Sequence, residues 1–398
     1  MALSSIDLFT GIGGITQALH GIAHPVAYCD VDPETHIVLK RLMARGKLPV
    51  CPISSDVKTL NKVWLIRHGV KKKPHMICGG FPCTSVSLLG NKDGFNNTID
   101  GSGLFFEILR LADELQTPIL FLENVQNILN MEMDAIVREL VNKRGYNVRW
   151  CVNSAQNMGA PHQRKRWFCL AYKESIANKS IPVAAIYKPF NWNERHEPER
   201  TICDQGKEGN KMIYKRHAML GNSVVPDAVR YAFMYLWNGM HEAPQYTESG
   251  ALSLRDPAEA NAKTPKQSKA KGSNKWPKCG YVMADKPHDV HPIEFVIPHI
   301  SSSMRYKRVL TFDPSVYKPN VPPGGNLKLE ILSKPEVHKA WSTLRRGATR
   351  ASNYITRRTV RDLPTQVRYE VGTKNRECPV NPIWTEYMMG YEKAWTAF

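Results

Sequence analysis

Three short stretches bring together side chains able to act on a polarised ring or a carbonyl. GGFPC ends an apolar run with Cys83 directly after Pro82. The proline fixes φ and the glycines before it permit an exposed turn, which presents the thiol rather than packing it. A thiolate so presented is a nucleophile. As one of nine cysteines, Cys83 could equally be a buried thiol. What favours the nucleophile is LFLENV, which sets Glu123 at the end of the next strand, beside Cys83 at the same sheet edge. In GAPHQRKRWF, Arg164 and Arg166 alternate along an extended segment, so both point to one side and can face anionic or carbonyl oxygens; a surface charge cluster is the alternative.

A second group suits a nucleoside-bearing ligand. DLFTGIGG follows the first strand, where Gly11, Gly13 and Gly14 let backbone amides approach a ligand at a helix N-terminus. It is not GxGxxG, so no pyrophosphate is implied, and a tight structural turn remains the competing reading. About twenty residues on, YCDVDP offers Asp30 and Asp32, acids placed to bond ribose hydroxyls. Asp56 in SSDVKTL can reach an adenine amino group or cap a helix.

The elements that must position these groups alternate. SSIDLF, PVAYCDVD, HMICGGF, PILFLENV, YNVRWCVN and RWFCLAY read as strands, and GLFFEILRLADEL and MEMDAIVRELVNKRG as helices between them. The pattern predicts an α/β fold, a Rossmann-like and mostly parallel sheet, over residues 1–240. After GNSVVP, Pro226 opens a further helix with Ala228, Val229, Ala232, Phe233 and Leu236 on its apolar face. Residues 241–283, rich in Lys, Pro, Ser, Ala and Gly, read as a basic flexible linker or insertion, and 284–398 as a smaller mixed domain.

Composition points to a polyanionic partner: the 398 residues carry a formal net charge of +18. The nine cysteines never form CxxC, which suggests neither a zinc site nor a disulfide framework. No apolar run approaches the roughly 18 residues of a membrane span. A soluble, intracellular monomer without metal or membrane association is expected, in the cytoplasm of a prokaryote or the host cell of a virus, with the nucleus as an alternative.

Together these motifs resemble those of the cytosine-5 DNA methyltransferases. DLFTGIGG is similar to that family's cofactor loop, GGFPC to its proline-cysteine motif, ENV to its glutamate motif, APHQRKRWF to its arginine motif and GNSVVP to its late cofactor motif. GNKDGFNNTIDGSGLFFEILR resembles its mobile loop and following helix, and the likeness runs from residue 4 to about 238 in the family's usual order. The resemblance implies transfer of a methyl group from S-adenosylmethionine to C5 of a cytosine flipped out of duplex DNA, through an adduct of Cys83 at C6. Glu123 would contact N3 and the exocyclic amine, and Arg166, with Arg164 nearby, the O2 side. Phe9 would pack on the adenine, Asp30 bind the ribose, Asp56 face the adenine amine, and Asn222 with Ser223 line the methionine end. Asp7, Gly11, Gly13, Gly14 and Pro82 complete the implied cofactor site, and Ser87 is carried over as a DNA contact.

Two features depart from the family's pattern. His162 and Thr84 stand where glutamine is common, and the interval 173–215 is too short for a recognition domain of ordinary size. The tail instead carries Arg345, Arg346, Arg350, Arg357, Arg358 and Arg361, candidate contacts to phosphates or guanine edges, and ends in NPIWTEYMMGYEKAW, similar to the segment that normally precedes GNSVVP. A displaced recognition domain follows as an expectation: its last segment packs on the core, and deleting the tail removes sequence-specific DNA binding while cofactor binding survives. The alternatives are a tRNA cytosine-5 methyltransferase, disfavoured because the chain lacks a CFT tripeptide, and a catalytically decayed DNA-binding homologue.

Overall fold

The computed structural model describes residues 2–82, 103–176, 189–192, 195–203, 205–240, 252–253, 276–293 and 379–398. Cys83, Ser87, Arg345, Arg346, Arg350, Arg357, Arg358 and Arg361 lie outside the described residues.

Five strands, β1 (Leu3–Leu8), β2 (Ala23–Cys29), β3 (Ile53–Ser54), β4 (Met76–Gly80) and β5 (Ile119–Val125), form the parallel half of the sheet. The antiparallel half holds β6 (Asn147–Ser154), β7 (Lys165–Tyr172), β8 (Leu252–Ser253), β9 (Gly280–Met283) and β10 (Lys286–Pro292). Among the described residues the order is β3-β2-β1-β4-β5-β7-β6-β9-β10-β8. Side chains alternate across the strands. Ile77, Leu120 and Leu122 join one core with Ile108 and Leu109 of α4 (Gly103–Leu115) and Ile136 of α6 (Met133–Val137). Met76, Cys78, Ile119 and Phe121 join another with Ile15 of α1 (Gly14–Ala18) and Phe233 of α8 (Pro226–Asn238). Both faces are therefore covered, the condition for a parallel sheet. A short α5 (Ile128–Met131) precedes α6, which runs on as a π-helical turn over Arg138–Asn142.

Three helices without a strong apolar stripe complete the fold. Asp32 caps α2 (Pro33–Ala44) by accepting the Glu34 amide at 2.9 Å, and Asn61 caps α3 (Lys62–Arg67) through the Trp64 amide. The next, α7 (Gly206–Asn222), begins in the interval judged too short for a domain and runs past it; its glycines and cations dilute an apolar face that rests on Ile213, Met219 and Leu220.

The boundaries expected at 240 and 283 do not coincide with the limits of the sheet. β9 lies inside 241–283 and pairs antiparallel with β6, while β10 begins just beyond. Trp276 sits under this hairpin, 2% exposed, edge-on to Trp150 and bonded through Nε1 to Asp134. At the chain's end, α9 (Pro382–Met388) and the turns after it bury Trp384, Met388, Tyr391 and Trp395 against α2, α7 and the loop after β1.

Candidate active site and cofactor pocket

Strand register brings the proposed reacting groups to one sheet edge. Gly80 of β4 pairs with Glu123 of β5, and Val125 of β5 pairs with Arg166 of β7. Glu123 is buried, and Arg166 Nε lies 2.9 Å from its Oε1. Burial raises the Glu123 carboxyl above its ordinary range, against the pull of the Arg166 and Arg164 guanidiniums, so it accepts a proton more readily than a surface glutamate. Beside it, Asn124 donates from Nδ2 to the Phe81 carbonyl at 3.1 Å, tying the glutamate strand to the residue after β4.

The two glycines of GGFPC do not serve the turn expected of them. Both lie in extended β4, where close approach demands them. A Cβ on Gly79 would stand 2.5 Å from the Leu8 carbonyl oxygen, and one on Gly80 2.5 Å from Glu123 Oε2. Pro82 follows, exposed, and leads into Cys83.

The two arginines share a side, as their spacing predicts, but take different partners. Arg164 is 4% exposed and donates through Nη2 to the carbonyls of Gly221, at 2.9 Å, and Ser223. It thereby pins GNSVVP to the start of β7, and Arg166 is the arginine paired with the glutamate. His162, where glutamine is usual, bonds the Met388 carbonyl at 3.0 Å; burial and Arg164 lower its pKa to about 3, so the imidazole is neutral.

At the carboxyl ends of β1 and β2 the loop Phe9–Gly14 closes on the acids. Asp30 accepts the amides of Gly11 at 2.7 Å and Asp32 at 2.9 Å, so it holds the loop's shape while facing its opening. Phe9 has φ 52, a left-handed conformation that a non-glycine residue adopts only under constraint from its surroundings. Gly11, at φ 54, has nothing within 4 Å of where a Cβ would lie, which leaves room against the backbone for a ligand. Asp7 is buried beneath, with Oδ2 accepting the Thr16 hydroxyl at 2.6 Å and Oδ1 without a hydrogen-bond partner; burial lifts its pKa to about 7.

Asp56 accepts the Lys58 amide through Oδ1 at 2.9 Å in a local turn, with the side chain half-exposed; the helix cap that was its alternative reading falls instead to Asn61. Asn222 is exposed at the end of α7, whereas the Ser223 hydroxyl turns back to the Leu220 carbonyl. One residue was missed in the sequence. Val31, 80% exposed at the carboxyl end of β2, presents an apolar side chain between the two acids; its signal is that single apolar residue in DVD. Among the described residues no group of three His, Cys, Asp or Glu side chains is placed to hold a metal, and no helix is long and apolar enough to cross a membrane.

A family model described as C-5 cytosine-specific DNA methylase matches residues 3–222. The Type II methyltransferase M.CviJI of Paramecium bursaria Chlorella virus IL3A is 28% identical over 403 residues, covering 100% of this chain and 99% of the viral protein. M.MspI of Moraxella sp is 30% identical over 44% of this chain and 40% of its own length, and M.HhaI of Haemophilus parahaemolyticus 29% over 48% and 54%. The likeness to M.CviJI thus runs through the tail, whereas the two bacterial matches each cover less than half of this chain.

Proposed function

The chain belongs to the C-5 cytosine-specific DNA methylase family, and from that premise we propose that Cys83 attacks C6 of a cytosine flipped out of duplex DNA while Glu123 and Arg166 hold the ring. DNA is the substrate and S-adenosylmethionine the methyl donor of that family.

Cytosine C5 is a poor nucleophile until a thiolate adds to C6, which pushes the ring electrons toward C5 and N3. Glu123 supplies the proton or hydrogen bond that N3 then needs, and its raised pKa suits that role. Arg166 fixes the carboxylate and faces the O2 side. When bound, the cofactor supplies the electrophilic methyl group that C5 takes. A base then takes the C5 proton, and the freed electron pair expels the thiolate, which releases Cys83. Inside a duplex C6 is out of reach, so flipping costs a few kcal/mol that contacts in the pocket offset.

The pocket fits such a cofactor on its own geometry. The open face at Gly11 admits a ligand against the loop's backbone, Asp30 would accept from ribose hydroxyls, and Phe9 with exposed Val31 offers apolar faces for an adenine. Asp56 would take the adenine amine, and Asn222 the methionine end, with Arg164 holding that loop in place.

The observation that carries the proposal is the Glu123–Arg166 pair at the carboxyl end of β4, where Glu123 pairs in register with Gly80 of GGFPC. Its test is to incubate the protein with labelled S-adenosylmethionine and unmethylated DNA, with tRNA in parallel, and identify the modified nucleoside by mass spectrometry. We expect 5-methylcytosine in DNA, none with Cys83→Ser, and a kcat lowered about 10²-fold or more by Glu123→Gln. Product from Cys83→Ser would remove the covalent mechanism, and label in tRNA alone would reassign the substrate.

A further inference from the structure

The two loops proposed to hold the cofactor are separated by about 200 residues, yet both are bonded by the last ten residues of the chain. Trp395 donates from Nε1 to the Ile12 carbonyl at 2.8 Å, in the middle of the glycine loop. Tyr391 donates its hydroxyl to the Val224 carbonyl at 2.9 Å, in GNSVVP. The tyrosine oxygen is wedged between the two loops: a Cβ on Gly14 would collide with it, and would stand 2.7 Å from Val224 Cγ2. Both rings are buried, with centroids 5.4 Å apart.

The segment that presents them is itself firmly held. Arg41 of α2 donates to the carbonyls of Ala394, at 2.8 Å, and Trp395. Glu386, fully buried on α9, accepts Arg216 Nη2 at 2.8 Å and the amides of Ala394 and Thr396 at 2.7 Å each. Ala394 is thereby kept at φ 64, a conformation an alanine rarely adopts.

We infer that Tyr391 and Trp395 are positioning residues of the cofactor pocket, an inference that rests on reading residues 9–14 and 222–225 as the cofactor site. Neither side chain is needed to touch the cofactor. Each satisfies a buried carbonyl of a loop that does, and so fixes the distance between the nucleoside half of the site and its methionine half. Glu123 and Arg166, proposed to hold the cytosine ring, pair with each other on β5 and β7, whereas Tyr391 and Trp395 donate to the two cofactor loops, so the expected defect is selective.

The test uses the full chain with Tyr391→Phe, which keeps the ring and removes only the hydroxyl donor, and Trp395→Phe, which removes the N–H donor and trims the indole to a phenyl ring. Calorimetric titration with S-adenosylmethionine gives the Kd, steady-state assays give KM for the cofactor and kcat, and unfolding with and without cofactor reports fold and binding together. Each variant should raise cofactor Kd and KM about tenfold, as befits a buried carbonyl left unpaired, with kcat at saturating cofactor and the affinity for DNA within about twofold of wild type. Unchanged cofactor Kd in folded variants overturns the inference. So does a parallel fall of cofactor affinity, DNA affinity and kcat, which would mark a general loss of structure. Phe9→Ala and Asp30→Ala separate the two levels. If these also bind cofactor normally, the loops are not the site; if they weaken binding while Tyr391→Phe and Trp395→Phe do not, only the clasp is wrong.

Discussion

Asp7 sits at the end of β1 with one carboxylate oxygen bonded to Thr16 and the other unpartnered and buried. Its pKa is raised from 3.8 to about 7, chiefly by desolvation. Between those values the folded protein holds a proton that the unfolded chain has lost. The stability tied to that proton is therefore fully present below about pH 4 and is lost as pH rises through about 7. The slope is on the order of 1 kcal/mol per unit. Asp7→Asn keeps an acceptor for Thr16 and removes the ionisation, so relative to wild type it should gain stability at pH 8 over pH 5. Urea midpoints for both proteins at the two pH values check this, and parallel profiles would show that Asp7 is solvated after all. A residue that weakens the fold at neutral pH yet lies under the glycine loop fits a group kept for its ligand. Asp7 was legible as part of DLFTGIGG, but its burial was not, because burial depends on strands and helices arriving from elsewhere.

Adjacent glycines on β4 separate what an element does for the fold from what it does for the site. Gly79 faces backbone, the Leu8 carbonyl of β1, which cannot move without disturbing the sheet. Gly80 faces the tip of Glu123, which can swing aside but then leaves Arg166. Gly79→Ala should thus cost about 1–3 kcal/mol of stability. Gly80→Ala should keep its unfolding temperature within a few degrees and lose on the order of 10² in kcat, since a misplaced carboxyl no longer meets the ring. Thermal unfolding and turnover measured on the pair decide it; equal effects on both quantities in both variants would reject the distinction. The strands themselves were legible, since apolar runs such as ILFLENV end at the residues that matter. Their neighbours were not: that β4 abuts β1 and β5 so closely is a property of sheet order, and so the glycines read as a turn. Arg164 is similar, visible as a charge but not as the pin of a loop 57 residues away.

At the scale of the whole molecule, the question is whether residues 1–240 stand alone. Motif order suggests that they do, because the five motifs from DLFTGIGG to GNSVVP lie within them. The packing argues otherwise. Without the hairpin of β9 and β10, β6 becomes an open edge strand and Trp150 loses both Trp276 and its Nε1 bond to the Pro277 carbonyl, 3.0 Å away. Without the last twenty residues, the apolar faces that cover Leu39, Leu42 and Leu220 are gone, along with both bonds to the cofactor loops. The hairpin was not visible in the sequence, because CGYVM is short and follows a lysine-rich stretch; the terminal segment was expected to pack on the core, but its individual partners, more than 150 residues away along the chain, were not legible. For a cut at 240, which takes the β9–β10 hairpin as well as the tail, the packing predicts that cofactor binding is lost, where the expectation for loss of the tail was that it survives. A 1–240 fragment should bind hydrophobic dye, unfold without a cooperative transition and show no rise in unfolding temperature with S-adenosylmethionine, whereas the full chain shows that rise. A fragment that unfolds cooperatively and binds cofactor as tightly as the full chain would restore the boundary at 240. It would also reduce the hairpin and the terminal segment to attachments of the recognition region, with no part in building the site.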